Sequence, residues 1–171
     1  MPRCIIVEPT QADCLFQSAK HGELRNTSGT LDTIMAGLAC RVPSPAAWKI
    51  LSWLASDFVT VADEAAIRGM RVLAQAPEGD IPIVIGESSA VSLGLLMAAG
   101  DNASLRQKLG INGKSQILVF GLEGATDPRI YEQIVGTSHL TVFEAQAHFE
   151  EAEAGLPCSH GASKHEDDLR M

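Results

Sequence analysis

The sequence predicts an α/β fold: a parallel sheet of about four strands flanked by helices. Two strand-to-turn-to-helix crossings and a chain-long alternation of short apolar runs with helical patterns lead to that class. The first crossing runs Ile81-Pro82-Ile83-Val84-Ile85 into Gly86-Glu87-Ser88-Ser89. The second runs Ile117-Leu118-Val119-Phe120 into Gly121-Leu122-Glu123-Gly124-Ala125-Thr126-Asp127-Pro128. Each apolar run stops at a glycine, meets an acidic residue within two positions, and passes into a helical pattern. Alternation of this kind predicts right-handed crossovers. In open α/β sheets, ligands sit outside the carboxyl ends of the strands, so two such ends predict a small-molecule site.

The elements follow in order. Cys4-Ile5-Ile6-Val7-Glu8-Pro9 is a β-branched run closed by proline, the pattern of a buried strand. Ala12 to Ala19 reads as a helix stopped near His21-Gly22. After a polar loop from Glu23 to Thr30, Leu31, Ile34, Met35 and Leu38 have helical spacing. Pro43 and Pro45 interrupt the pattern, and Trp48, Ile50, Leu51 and Leu54 mark another helix. Phe58 to Val61 is a second strand, with Asp63 as N-cap of a helix from Glu64 to Gln75. Ile81 to Ile85 is the third strand, followed by a helix from Ser88 to Ala99 and a short one from Asp101 to Leu109. Gln116 to Phe120 is the fourth strand, and Pro128 opens a helix that runs to Val135. Residues 1–149 are expected to form one α/β domain, with at least one apolar sheet edge open. Residues 150–171 are expected to form a disordered acidic tail.

Composition narrows the function. The 171 residues are 46% hydrophobic and 20% charged, the balance of an ordinary folded domain. Folding a chain of this length buries about two-thirds of its unfolded surface. A net charge of -8 with no basic run argues against a nucleic-acid partner. The apolar runs are too short to span a membrane, and no signal peptide is expected, so the expected location is cytoplasmic. Cys4, Cys14, Cys40 and Cys158 lack C-x-x-C spacing and read as idle thiols of a reducing compartment. Cys158, His160 and His165 lack a clear fourth ligand, so no metal is expected.

The crossings allow two readings each. Gly86-Glu87-Ser88-Ser89 offers backbone donors at a helix N-terminus, suited to an anion or a polar ring substituent. It also reads as a plain turn with serine as N-cap. Gly121 to Pro128 has the same duality, with Thr126 or Asp127 as cap. Glu87 and Glu123 are candidate paired carboxylates whose separation the sequence leaves open. No Walker loop, nucleophile elbow, metalloprotease motif or G-x-G-x-x-G is present.

The ordered segments VEPTQADCLFQSA, GTLDTIMAGLAC, FVTVADEAAIRGMRVLA, IVIGESSAVSLGLLMAA and ILVFGLEGATDPRIYEQIVG resemble the C-terminal portion of the diaminopropionate ammonia-lyases, from about Cys4 to about Gly136. That family belongs to the fold type II, tryptophan synthase β-like group of enzymes. The resemblance implies pyridoxal 5'-phosphate as cofactor and α,β-elimination of an amino acid to ammonia and a 2-oxo acid. It places Gly86, Glu87 and Ser88 beside the pyridine ring, and Ala36 and Gly37 on the substrate side. Gly121 falls where the family usually carries a serine or similar polar residue near the ring nitrogen, and offers no side-chain hydrogen bond there.

The family's Schiff-base lysine, phosphate loop and acid-base aspartates precede the segment matching Val7-Glu8-Pro9, and the lysines of this chain match no family lysine. The expectation is therefore no turnover by this chain alone, and an amino-acid substrate only if an N-terminal half completes it. A homo-oligomer is compatible with this reading. The alternative is a non-catalytic α/β module that binds a small ligand or a protein.

Overall fold

The structure, a computed structural model, describes residues 2–155. The chain runs β1 (Ile5–Pro9), α1 (Cys14–His21), α2 (Pro45–Leu54), β2 (Asp57–Val61), α3 (Asp63–Gln75), α4 (Glu87–Asp101), α5 (Ala103–Lys108), α6 (Pro128–Val135) and α7 (His139–Glu153), with 3-10 turns at Ala36–Leu38 and Pro77–Gly79. The α/β class holds. Strands β1 and β2 are parallel and in register from Ile5 opposite Asp57 to Pro9 opposite Val61.

Local chemistry sets the element ends. Gly22 stops α1 in the left-handed region at φ 73, and Gly136 stops α6 at φ 87. Ser44 caps α2 ahead of Pro45, and the Asp127 carboxylate accepts from Arg129 N and Ile130 N at the start of α6. Helices α3 and α4 meet through glycines. A Cβ on Gly69 would lie 2.2 Å from Ala90 O, and one on Gly94 would lie 2.0 Å from Ala65 O. That backbone-close crossing carries one apolar cluster, in which Met70, Ile85, Ala90, Tyr131, Val135 and Val142 are buried. A second cluster joins Leu95, Ala99 and Leu109 to the apolar faces of β1 and β2.

Several expectations change. Among the described residues the sheet has two strands, not about four. Residues 81–85 and 116–120 form no ladder: Ile83 N donates to Leu73 O at 2.8 Å, and Gly86 N to Glu123 O at 3.1 Å. Apolar patterning reports which side chains avoid water, whereas a strand also needs a neighbouring backbone. The side chains of Leu118 and Phe120 are exposed accordingly, at 77% and 67%.

The helical spacing from Leu31 to Leu38 gives only the 3-10 turn. Leu31 has φ 66, and the Asp63 carboxylate takes the Thr33 hydroxyl and the Ile34 amide, at 2.5 and 3.0 Å. Asp63 thus ties a loop to the start of α3 instead of capping it. Helix α7 is an element the sequence pattern does not announce. Ser138 caps it, accepting from Thr141 N at 3.1 Å, and it runs past residue 149 to Glu153. The rest of the expected tail, residues 156–171 with Cys158, His160 and His165, lies outside the described residues. Among the described residues, no helix is long and apolar enough to cross a membrane, and no three His, Cys, Asp or Glu side chains gather as a metal site.

Candidate functional site

Three turns meet at the N-terminus of α4. The first is the 3-10 turn holding Ala36 and Gly37, tied to its position by Asp63 through Thr33 and Ile34. The second is Gly86-Glu87-Ser88-Ser89, where the buried Ile85 leads into the helix. The third is Gly121-Leu122-Glu123-Gly124, which enters from the exposed segment before it.

Hydrogen bonds join them directly. Ser88 Oγ accepts from Gly37 N at 3.0 Å. The Glu123 Oε1 atom accepts from Ser88 N and, at 3.2 Å, from Ser89 N. Ser89 Oγ accepts from Leu122 N at 3.0 Å, and Glu123 O accepts from Gly86 N at 3.1 Å. Gly86 is required by this packing: a Cβ there would stand 2.6 Å from Gly124 O and 2.7 Å from Glu123 Cγ. At Gly121 a Cβ would approach Ile85 Cδ1 to 3.0 Å, and at Gly37 it would approach Ser88 Oγ to 3.0 Å.

The expected residues Gly37, Gly86, Ser88 and Gly121 are therefore gathered in one place, with Ala36 beside Gly37 in its turn. The electrostatics differ from the expectation of free anion donors. The Ser88 and Ser89 amides are both given to the Glu123 carboxylate, which balances the positive end of the α4 dipole. Glu87 is half-buried, and its carboxyl is raised above the ordinary range. Burial is the main cause; its own backbone N–H opposes the rise, and the charges of Glu123 and Asp127 add to it. A phosphate placed here would face three carboxylates.

A flat ring suits the corner better. Ala36, Gly37 and Gly121 are exposed and carry little or no side chain, and Ser88 Oγ still has a proton to donate. No lysine belongs to any of the three turns. The residues thus fit the face of a planar heteroaromatic group, and not its phosphate or a covalent attachment. A cavity of about 310 Å³ abuts Gly37, lined also by Glu8, Cys14, Leu38, Cys40 and Pro43.

Sequence reasoning missed the joining role of Glu123 and the part played by Ser89. The signal was an acidic residue two positions after a glycine at the end of an apolar run, but its target lies 35 residues back along the chain.

Comparisons with known proteins find relatives along most of the chain. A family profile described as "Pyridoxal-phosphate dependent enzyme" matches residues 1–120. The diaminopropionate ammonia-lyase of Escherichia coli (strain K12) is 43% identical over 134 residues, covering 77% of this chain and 34% of that protein. The enzyme of the same name from Salmonella typhimurium (strain LT2) is 40% identical over 141 residues, covering 79% and 35% respectively. This chain thus spans about a third of the length of the curated relatives it matches. A crystal structure of the Escherichia coli enzyme in complex with an aminoacrylate-PLP azomethine reaction intermediate is similar with a TM-score of 0.71 at 42% identity, over 77% of this chain and 33% of that one. A crystal structure of a threonine deaminase, at 21% identity and a TM-score of 0.52, shares the fold alone.

Proposed function

We propose, from the premise that this chain belongs to the pyridoxal-phosphate dependent enzyme family, that its three converging turns form one wall of the cofactor and substrate cleft of a diaminopropionate ammonia-lyase. The observation that carries this reading is the gathering of Gly37, Gly86, Ser88 and Gly121 around the start of α4.

In this reading pyridoxal 5'-phosphate, when bound, supplies the electron sink for α,β-elimination of an amino acid to ammonia and a 2-oxo acid. The chain's own residues do narrower work. Gly121, exposed and without a side chain, leaves a ring room to lie flat, and Gly86 lets the turn that carries Gly121 close against the start of α4. Ser88 Oγ, already accepting from Gly37 N, keeps a hydroxyl proton that it can donate to a ring substituent. Glu87 borders the same turn, half-buried, with its carboxyl raised above the ordinary range chiefly by burial. Ala36 and Gly37 border the substrate side, where the absence of larger side chains admits an amino acid. Neither Gly121 nor Leu122 offers a side-chain hydrogen bond to a ring nitrogen, so that end of the ring is left to other groups.

Turnover needs a lysine amine to hold the cofactor covalently. None stands in the three turns, so we assign this chain no turnover by itself and an amino-acid substrate only in company with a complementary polypeptide. The unit comprises residues 1–149, with α7 carrying it on to Glu153. A cytoplasmic location fits an enzyme of amino-acid metabolism, and the net charge of -8 supports a role without nucleic acid. The second reading, a non-catalytic binding module, is favoured by one feature: Leu122 stands 86% exposed beside the ring position.

The test is to mix this chain with the portion of the Escherichia coli relative that it does not match, purify the complex and supply pyridoxal 5'-phosphate. Retained cofactor and ammonia release from diaminopropionate are expected from the complex, and from neither part alone. A stable complex that holds no cofactor and releases no ammonia overturns the enzyme reading and leaves the binding module.

A further inference from the structure

We infer that Glu123 is a positioning residue that couples the substrate-side turn at Gly37 to the ring-side turn at Gly121, acting through the Ser88 hydroxyl. The connection is continuous. Glu123 Oε1 accepts from Ser88 N and thereby fixes the backbone that carries the Ser88 side chain. Ser88 Oγ accepts from Gly37 N at 3.0 Å. On the other side Glu123 is itself part of the ring-side turn, where Leu122 N donates to Ser89 Oγ at 3.0 Å and Gly86 N donates to Glu123 O at 3.1 Å. The Glu123 carboxylate also faces Gly37 directly: a Cβ built on Gly37 would lie 3.6 Å from Glu123 Oε2.

Ordinary helix capping does not need this arrangement. A cap is usually a side chain at the helix start, and neither Gly86 nor Glu87 supplies one here. The cap comes from 35 residues downstream, in a segment with no strand partner among the described residues. A carboxylate in that position does two things at once: it satisfies the α4 amides and holds 121–124 against 86–89. Moving Glu123 therefore moves both ends of the connection. The naming of its two ends as ring side and substrate side rests on the function proposed above; the coupling itself does not.

Residue-resolved amide hydrogen exchange of the full 171-residue chain, measured without cofactor, tests it. In Glu123→Ala, exchange at Ser88 and Ser89 rises under either a capping or a coupling role. Coupling adds a rise of about tenfold at Gly37, whose amide Glu123 does not touch, the effect of losing one hydrogen bond. Glu123→Gln keeps an oxygen acceptor and restores most of the protection at Gly37. Ser88→Ala should expose Gly37 while Ser89 stays protected, which confirms the route in a variant that leaves Glu123 in place. Unchanged exchange at Gly37 in Glu123→Ala, with Ser88 and Ser89 accelerated, overturns the inference and leaves Glu123 a cap alone. So does fast exchange at Gly37 in the unaltered chain. Because no cofactor is present, none of these outcomes touches the proposed enzyme function, which the mixing experiment decides separately.

Discussion

Glu8 and Glu123 each close a helix with a carboxylate from outside it, yet they serve different ends. Glu8 stands at the end of β1 and reaches α1 a few residues on. Its Oε1 accepts from Leu15 N at 2.9 Å, and its Oε2 accepts from Phe16 N at 2.7 Å. It is 7% exposed, and the Asp13 side chain at the helix start makes no cap hydrogen bond, so Glu8 alone closes that end. Glu123 is half-buried, reaches α4 from 35 residues away, and lies among exposed glycines. Water reaches the half-buried second carboxylate more readily than the buried first. The local, buried cap belongs to the fold; the long-range, half-buried one belongs to the site.

The largest effect that follows is on Glu8. Glu8→Ala removes a buried carboxylate from the part-buried Leu15 and Phe16 amides, which costs about 3 kcal/mol of unfolding free energy, the usual magnitude for unmade bonds to a charged group. Urea unfolding checks this. Gly86→Ala strikes the other region, pressing a methyl group on Gly124 O and Glu123 Cγ. Overpacking of this kind costs about 2 kcal/mol, and it should also accelerate amide exchange at Leu122.

A smaller effect is the pH dependence of the buried cap. Burial raises the Glu8 carboxyl above its ordinary 4.5, against the opposing bonds from Leu15, Phe16 and Cys14. The folded state therefore holds the proton more tightly than the unfolded state. This contribution is fully present below pH 4.5, is lost as pH climbs through the raised value, and is flat above it. Glu8→Gln should remove that component of a plot of stability against pH; an unchanged slope contradicts the assignment.

The smallest effect is chemical. Burial, with the neighbouring Glu8 charge, pushes the Cys14 thiol up to about 11. Cys40 is exposed. Brief iodoacetamide treatment at neutral pH should alkylate Cys40 before Cys14, since the thiolate is the nucleophile. Mass spectrometry of the peptides checks the order, and Glu8→Ala should speed labelling of Cys14.

What the sequence disclosed follows the same division. Strands β1 and β2 and helix α3 were legible because each is a local apolar pattern bounded by a proline, an acidic first turn or a polar turn. The segment 31–38 has helical spacing and still forms only one 3-10 turn, because Asp63, 30 residues later, claims its hydrogen bonds. The runs 81–85 and 116–120 have strand patterning without a ladder, since pattern carries no information about a neighbour. Helix α7 has almost no one-sided apolar stripe, with only Val142 buried, so periodicity does not reveal it. At the site, Gly86 and Ser88 were visible as a turn signal. Glu123 was visible as an acid but not as a bridge, because its partners are set by tertiary approach.

The division between fold cap and site cap is tested most directly by unfolding Glu8→Ala and Glu123→Ala in urea side by side. A loss of about 3 kcal/mol is expected for the first, where the carboxylate removed is itself buried, and about 1 kcal/mol for the second, where water takes over from a half-buried one. Equal losses in the two variants, or a larger loss for Glu123→Ala, would contradict it.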